Sequence, residues 1–85
     1  MSTATFPAGE GLALVDVLIR KAFPSTRPHR SVAYMLGAHE LLLARACIGS
    51  STCPYAAGTA EFDAYFAGAD EGRAIWTRHQ GEAEQ

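Results

Sequence analysis

The sequence lacks several features that would place a protein in a large functional class. Its 85 residues contain no apolar run near the roughly 18 residues that a membrane-spanning helix needs. The first residues, Met1 to Phe6, have neither the basic segment nor the apolar segment of a secretory signal. We therefore expect a cytoplasmic protein with no membrane contact, and the length allows one domain at most.

Motifs typical of metal-binding or catalytic sites are also lacking. There is no Cys-x-x-Cys pair, no pair of histidines at a metal-ligand spacing and no Gly-rich phosphate loop. The two cysteines, Cys47 and Cys53, are expected to be reduced thiols, although a link between them in an oxidised preparation stays open. Cys53 precedes a helix, where a thiol pKa can be lowered, but so short a chain leaves little room for a catalytic cleft. We expect no catalytic residue, no metal, no cofactor and no small-molecule substrate, and therefore no enzyme.

Positive charge is also limited. The net charge is −2. Residues 1–50 hold five basic and three acidic side chains, whereas residues 51–85 hold two basic and six acidic ones. Nucleic-acid binding normally needs a basic surface. One basic cluster is a candidate for contact with RNA phosphate or with an acidic partner. The alternative is that its side chains are simply solvated around a loop. Its members are Arg20, Lys21, Arg27 and Arg30.

What the sequence does contain is helical periodicity. Apolar residues make up 48% of the chain, which is ample for a globular fold. Apolar side chains recur at helical spacing near residues 11–23, 31–48 and 59–79. A strand over residues 12–19 remains an alternative, because that segment is rich in Val and Ile.

The second helix should begin at Ser31, a good N-cap, and end before Gly49. We expect this helix to be the most buried, because its apolar stripe is broad. The stripe consists of Val32, Met35, Leu36, His39, Leu43, Ala46 and Cys47, and it is widened by Leu41, Leu42 and Ile48. The third helix follows a turn at Cys53-Pro54-Tyr55. Gly58 can adopt a positive φ there, and Thr59 is the predicted N-cap.

Small residues form a row along the third helix, at Ala64, Gly68, Gly72 and Trp76. Such a row allows another backbone to approach closely. It favours either a close helix crossing inside the fold or a surface for a partner helix or for a homodimer. Tyr55 is open to two similar interpretations, as turn packing or as a binding hot spot. The candidate partner surface is Tyr55, Gly68, Gly72 and Trp76.

The predicted fold is all-α, a small three-helix domain over residues 11–79. The second and third helices are expected to form an antiparallel hairpin joined by the Cys-Pro-Tyr turn. Residues 1–10 and 80–85 are expected to be flexible tails. No internal repeat is evident.

The motif residues resemble the ribosome modulation factor family. The likeness consists of Cys53-Pro54-Tyr55, then Gly58-Thr59-x-Glu61, then Tyr65-x-x-Gly68 and Gly72, with Gly37 in the preceding helix; it covers roughly residues 31–76. It implies two helices joined by the Pro-Tyr turn and binding to the ribosome, since the founding member is similar to a hibernation factor that acts on the small subunit. This chain departs from the family in having Ala69 where Trp is frequent, and in being acidic where the founding member is strongly basic.

We therefore expect a non-enzymatic small binding protein that regulates translation at the ribosome. The alternative is an acidic regulator or inhibitor that binds a protein and no RNA. A mobile element is one conceivable origin of such a protein. Ribosome binding predicts an affinity that falls steeply with salt. Protein-only binding predicts weak salt dependence.

Overall fold

The computed structural model of the chain describes residues 8–46 and 52–83. Within these ranges the protein is all-α and has no strand, as predicted. The three helices are α1 (Ala8–Ala22), α2 (Val32–Arg45) and α3 (Ala60–Ala83). The strand alternative for residues 12–19 is therefore wrong.

The ends of the helices differ from the prediction at several points. α1 begins at Ala8, inside the segment expected to be a flexible tail. α3 continues to Ala83, so residues 80–83 are helical rather than flexible. Gln80, Glu82 and Ala83 have good helix propensity, and no proline interrupts them. The predicted tail at residues 1–7, Cys47 and the C-terminal signal at Gly49 lie outside the described residues.

Both predicted N-caps are confirmed. The Ser31 hydroxyl accepts a 3.2 Å hydrogen bond from the backbone N–H of Tyr34 at the start of α2. The Thr59 hydroxyl accepts one of 3.1 Å from the N–H of Phe62 at the start of α3. Gly58, just before Thr59, has a φ of 88°, the conformation that glycine adopts without steric cost.

α2 and α3 lie against each other along their length, but they run parallel rather than antiparallel. Tyr34 meets Gly68, and one turn later Ala38 meets Gly72. Because the contacting positions rise together along both helices, the predicted direction of the hairpin is wrong.

The length of the connector explains this difference. Fourteen residues separate Arg45 from Ala60. α2 is about 21 Å long, at about 1.5 Å per residue. A connector of that size can cover more than about 40 Å when extended. It can therefore return the chain to the end at which α2 began, and Tyr55 indeed lines a cavity there together with Ser31 and Ala33.

The apolar core lies where α1 packs on the second half of the helix pair. It consists of Val15, Leu18, Leu42, Ala46 and Ile75. Among the described residues, the large side chains that are fully buried in this core are Leu42 and Val15. The core is small, as expected for a chain of this length.

The buried face of α2 agrees with the prediction only in part. The buried residues of the helix are Ala33, Gly37, Ala38 and Leu42. Leu42 and Ala46 of the predicted stripe are buried, but its first half lies on the opposite side, where Val32 and His39 are exposed. The physical reason is that α3 approaches too closely for large side chains, so the small residues face inward.

Candidate binding surface

Two glycines determine how closely α2 and α3 approach. A Cβ atom added to Gly37 would overlap the backbone carbonyl of Tyr65, and one added to Gly68 would overlap that of Tyr34. At Gly72 an added Cβ would lie 2.9 Å from the carbonyl oxygen of Ala38. Contacts this close require glycine, because any side chain would push the helices apart.

These contacts bury part of the predicted partner surface inside the chain. Gly68 and Gly72 are both buried against α2 of the same chain. The row of small residues therefore forms a close helix crossing inside the fold. The prediction that it is a surface for a partner or for a homodimer is wrong. Trp76 is half-buried beside the apolar core, with its ring 5.7 Å from that of His79.

The reciprocal glycine contacts come from a sequence repeat. The pattern Ala-Tyr-x-x-Gly-Ala-x-Glu occurs at residues 33–40 and again at residues 64–71. The two copies pair in parallel, so that the glycine of each lies on the tyrosine carbonyl of the other. The prediction that the chain has no internal repeat is wrong. A comparison of the chain with itself at an offset of 31 residues would have found the repeat.

Tyr55 connects the Cys-Pro-Tyr turn to the helix pair. Its ring meets that of Tyr65 edge-on, with the centroids 6.3 Å apart. It is half-buried, and it lines a cavity of about 370 Å³ between the N-termini of α2 and α3. Cys53 is a free thiol, and its Sγ lies 3.9 Å from the carbonyl oxygen of Tyr55. Both the packing role and a contact role of Tyr55 are compatible with this position.

The structure divides the predicted basic cluster. Arg27 forms a two-pronged ion pair with Glu71 of α3, at 2.7 and 2.9 Å, and also donates to the carbonyl of Ala22. Arg20 pairs with Asp16 one turn earlier on α1. Of the four predicted residues, only Lys21 and Arg30 make no ion pair with the described residues.

Glu71 is the centre of a network that sequence reasoning did not find. Besides Arg27, its carboxylate accepts a 2.5 Å hydrogen bond from the hydroxyl of Tyr34. The hydrogen bonds from Arg27 hold the pKa of Glu71 below its ordinary value, against the opposing effect of burial, and Tyr34 adds to the lowering. The same pair raises the pKa of Arg27 further above its ordinary value. The network ties the α1–α2 connector to α3.

Aromatic rings complete this cluster. The guanidinium of Arg27 lies 4.6 Å from the centroid of the Phe23 ring. That of Arg30 lies 4.3 Å from the centroid of the Tyr34 ring. The rings of Phe23 and Tyr34 meet edge-on at 6.4 Å. Arg30 is thereby held at the surface beside the start of α2.

An apolar groove runs between α1 and α2 beside Arg30. We call it the α1–α2 groove; its volume is about 360 Å³, and it is lined by Ile19, Arg30, Val32, Met35, Leu36 and His39. Val32 is 81% exposed. The groove comprises the first half of the stripe that the sequence pattern predicted to be buried.

No group of three or more His, Cys, Asp or Glu side chains within residues 8–46 and 52–83 is arranged to hold a metal ion. None of the helices in those ranges is both long enough and apolar enough to span a membrane.

Comparison with known proteins gives no assignment to a family. No protein-family model, no curated protein and no solved structure matches the chain.

Proposed function

We propose that the chain is a non-enzymatic binding module of the ribosome-modulation-factor type, which regulates translation by attaching to the ribosome. One observation carries the proposal: the residues that form the resemblance are in contact with one another. Tyr55 of the Cys-Pro-Tyr turn packs on Tyr65, and Gly37 and Gly68 hold the two helices together. The motif residues therefore form one structural unit, which supports the proposal.

The charges limit what such a module would contact. Arg27 is held in a part-buried ion pair with Glu71, and Arg20 pairs with Asp16 at the surface. The members of the basic cluster that make no ion pair with the described residues are Lys21 and Arg30. A contact that displaces counterions through two cations gives a slope of about −2 for log affinity against log salt. Attachment to the ribosome would then rest on few phosphates, with protein surface contributing the remainder.

A protein-only regulator is the second candidate. The α1–α2 groove favours it, because an apolar surface next to a half-exposed aromatic cluster suits a protein better than it suits RNA phosphate. The acidic net charge points in the same direction.

The test is capture of material from a bacterial lysate by the tagged full chain, at low and at high salt. Ribosomal subunits retained at low salt support the proposal. The double variant Lys21→Ala, Arg30→Ala should then lose most of this capture. The control is Arg73→Ala on α3, whose arginine already pairs with Asp70. Capture of one protein at both salts, without ribosomal subunits, would reject the ribosomal proposal in favour of the protein-only regulator.

A further inference from the structure

The α1–α2 groove exists because of how α2 pairs with α3. The close approach at Gly37 and Gly68 places small residues on the pairing face of α2. The larger apolar side chains of the helix are consequently left on the other side. Val32 is mostly exposed, and Met35 and Leu36 are half-buried. An apolar surface of this kind has a free-energy cost in water that a partner can relieve.

α1 supplies the second wall of the groove without closing it. Ile19 lines the groove opposite the α2 side chains. Leu12, two turns earlier on α1, is 51% exposed. The described part of the chain has no element left to cover these side chains, since α3 occupies the other face of α2.

The charged side chain that lines the groove is basic: it is Arg30, which is exposed. Arg30 is positioned by its stacking on Tyr34 and makes no ion pair with the described residues. Arg30 also interacts electrostatically with Glu71, but that carboxylate is already paired with Arg27. Asp16 is paired with Arg20, and Glu40 does not line the groove. The surface is therefore complementary to an apolar segment that carries negative charge.

We propose that the α1–α2 groove binds an acidic amphipathic helix of a protein partner. The apolar face of that helix covers Val32, Met35 and Leu36, and one of its carboxylates pairs with Arg30. This inference rests on the part of the proposed function that both candidates share, a binding module, and names the class of partner. RNA fits the groove less well, because phosphates can pair with Arg30 but leave the apolar side chains in water.

The direct test uses a synthetic peptide as a probe. A fluorescein-labelled amphipathic helix of about 20 Leu, Ala and Glu residues is long enough to form a helix. It is titrated with the full chain, and binding is followed by fluorescence anisotropy. A matched peptide carries Lys in place of Glu. We expect the acidic peptide to bind at least about tenfold more tightly than the basic one, a difference of about 1.4 kcal/mol.

Variants locate the binding site. Val32→Glu should weaken binding of the acidic peptide by about tenfold or more, because it places a like charge in the apolar contact. The matched control is Val17→Glu on α1; Val17 is 46% exposed and does not line the groove, so binding should not change. Arg30→Gln should weaken binding about threefold, as expected for an exposed ion pair. Circular dichroism of each variant checks that the helices are intact.

Several results would overturn the inference. They are equal binding of the two peptides, failure of the acidic peptide to bind, and an unchanged affinity in Val32→Glu. Two further results would assign the groove to another occupant: competition by a single-stranded RNA oligonucleotide, or a dimer of the chain that Val32→Glu dissociates. Capture of ribosomal subunits without peptide binding would reject this inference alone and leave the proposed function standing.

Discussion

The hydroxyl of Tyr34 donates a 2.5 Å hydrogen bond to the carboxylate of Glu71, which lies 37 residues further along the chain. Both residues belong to the repeated Ala-Tyr-x-x-Gly-Ala-x-Glu pattern, Tyr34 to the first copy and Glu71 to the second. The bond therefore joins the two copies directly. Arg27 pairs with both oxygens of the same carboxylate.

Removal of this hydroxyl should destabilise the fold. Tyr34→Phe keeps the ring that contacts Phe23 and Arg30 but loses a hydrogen bond to a charged group, so we expect a loss of about 1.5 kcal/mol in the free energy of unfolding. Urea denaturation measures it. Tyr55→Phe is the control, because no hydrogen bond joins the Tyr55 hydroxyl to the described residues. Equal stabilities of the two variants would show that the Tyr34–Glu71 bond contributes nothing.

Glu71 should make the stability depend on pH in acid. Its pKa in the folded chain is lowered, so the carboxylate favours folding when it is ionised. This contribution is complete above the ordinary pKa of about 4.5 and is lost as the pH falls through the lower folded value. Arg27 remains charged throughout, and its raised pKa adds no acid dependence.

The variant Glu71→Gln isolates this effect. It should be less stable than the native chain at neutral pH, and the difference should shrink as the pH falls below 4.5. Glu61→Gln on the same helix is the comparison, since the described structure gives Glu61 no ion pair. Unfolding by urea across the acid range gives both curves. A difference that stays constant with pH would contradict the role of the ionised carboxylate.

Two glycine-to-alanine changes on α3 should act in opposite directions. Gly68→Ala forces a methyl group into the carbonyl of Tyr34. The helices must separate, at a cost of about 3 kcal/mol or more. Gly81→Ala meets open space and should stabilise the helix by about 0.5–1 kcal/mol. Thermal unfolding followed by circular dichroism compares them. If Gly68→Ala melts at the native temperature, the close approach of the helices is wrong.

The N-cap of α3 gives a smaller and independent effect. Thr59→Ala removes the acceptor of the Phe62 N–H and should cost about 1 kcal/mol. Thr59→Ser retains a hydroxyl and should recover most of that loss. Denaturant titration of the native chain and of the two variants measures these differences in the free energy of unfolding. A loss that serine fails to recover would assign the effect of Thr59 to its methyl group rather than to capping.

The sequence predicted what depends on neighbouring residues. Ser31, Gly58 and Thr59 act through contacts a few positions away, and all three were placed correctly. The direction of α3 depends on the path of a fourteen-residue connector, which local signals do not determine. The helical spacing of apolar residues assigned Val32 and Met35 to the interior, because such a pattern takes no account of the space available between two helices.

The Glu71 network eluded prediction for a related reason. An acidic residue on a helix is usually solvated, and nothing near Glu71 in the sequence indicates Arg27 or Tyr34 as partners. The four basic residues lie close together in the sequence, but one of them, Arg27, pairs with the distant Glu71 in the folded chain. Charge counts along a chain therefore overestimate the charge that a folded surface offers to a ligand.

The parallel pairing of α2 and α3 also determines how the helix pair responds to dilution. Two separate peptides that carried the two copies of the repeat would associate as a bimolecular complex and dissociate at low concentration. Here the connector holds them in one chain, at an effective concentration that for short flexible links is in the millimolar range. The tight glycine crossing consequently does not depend on how concentrated the protein is in the cell.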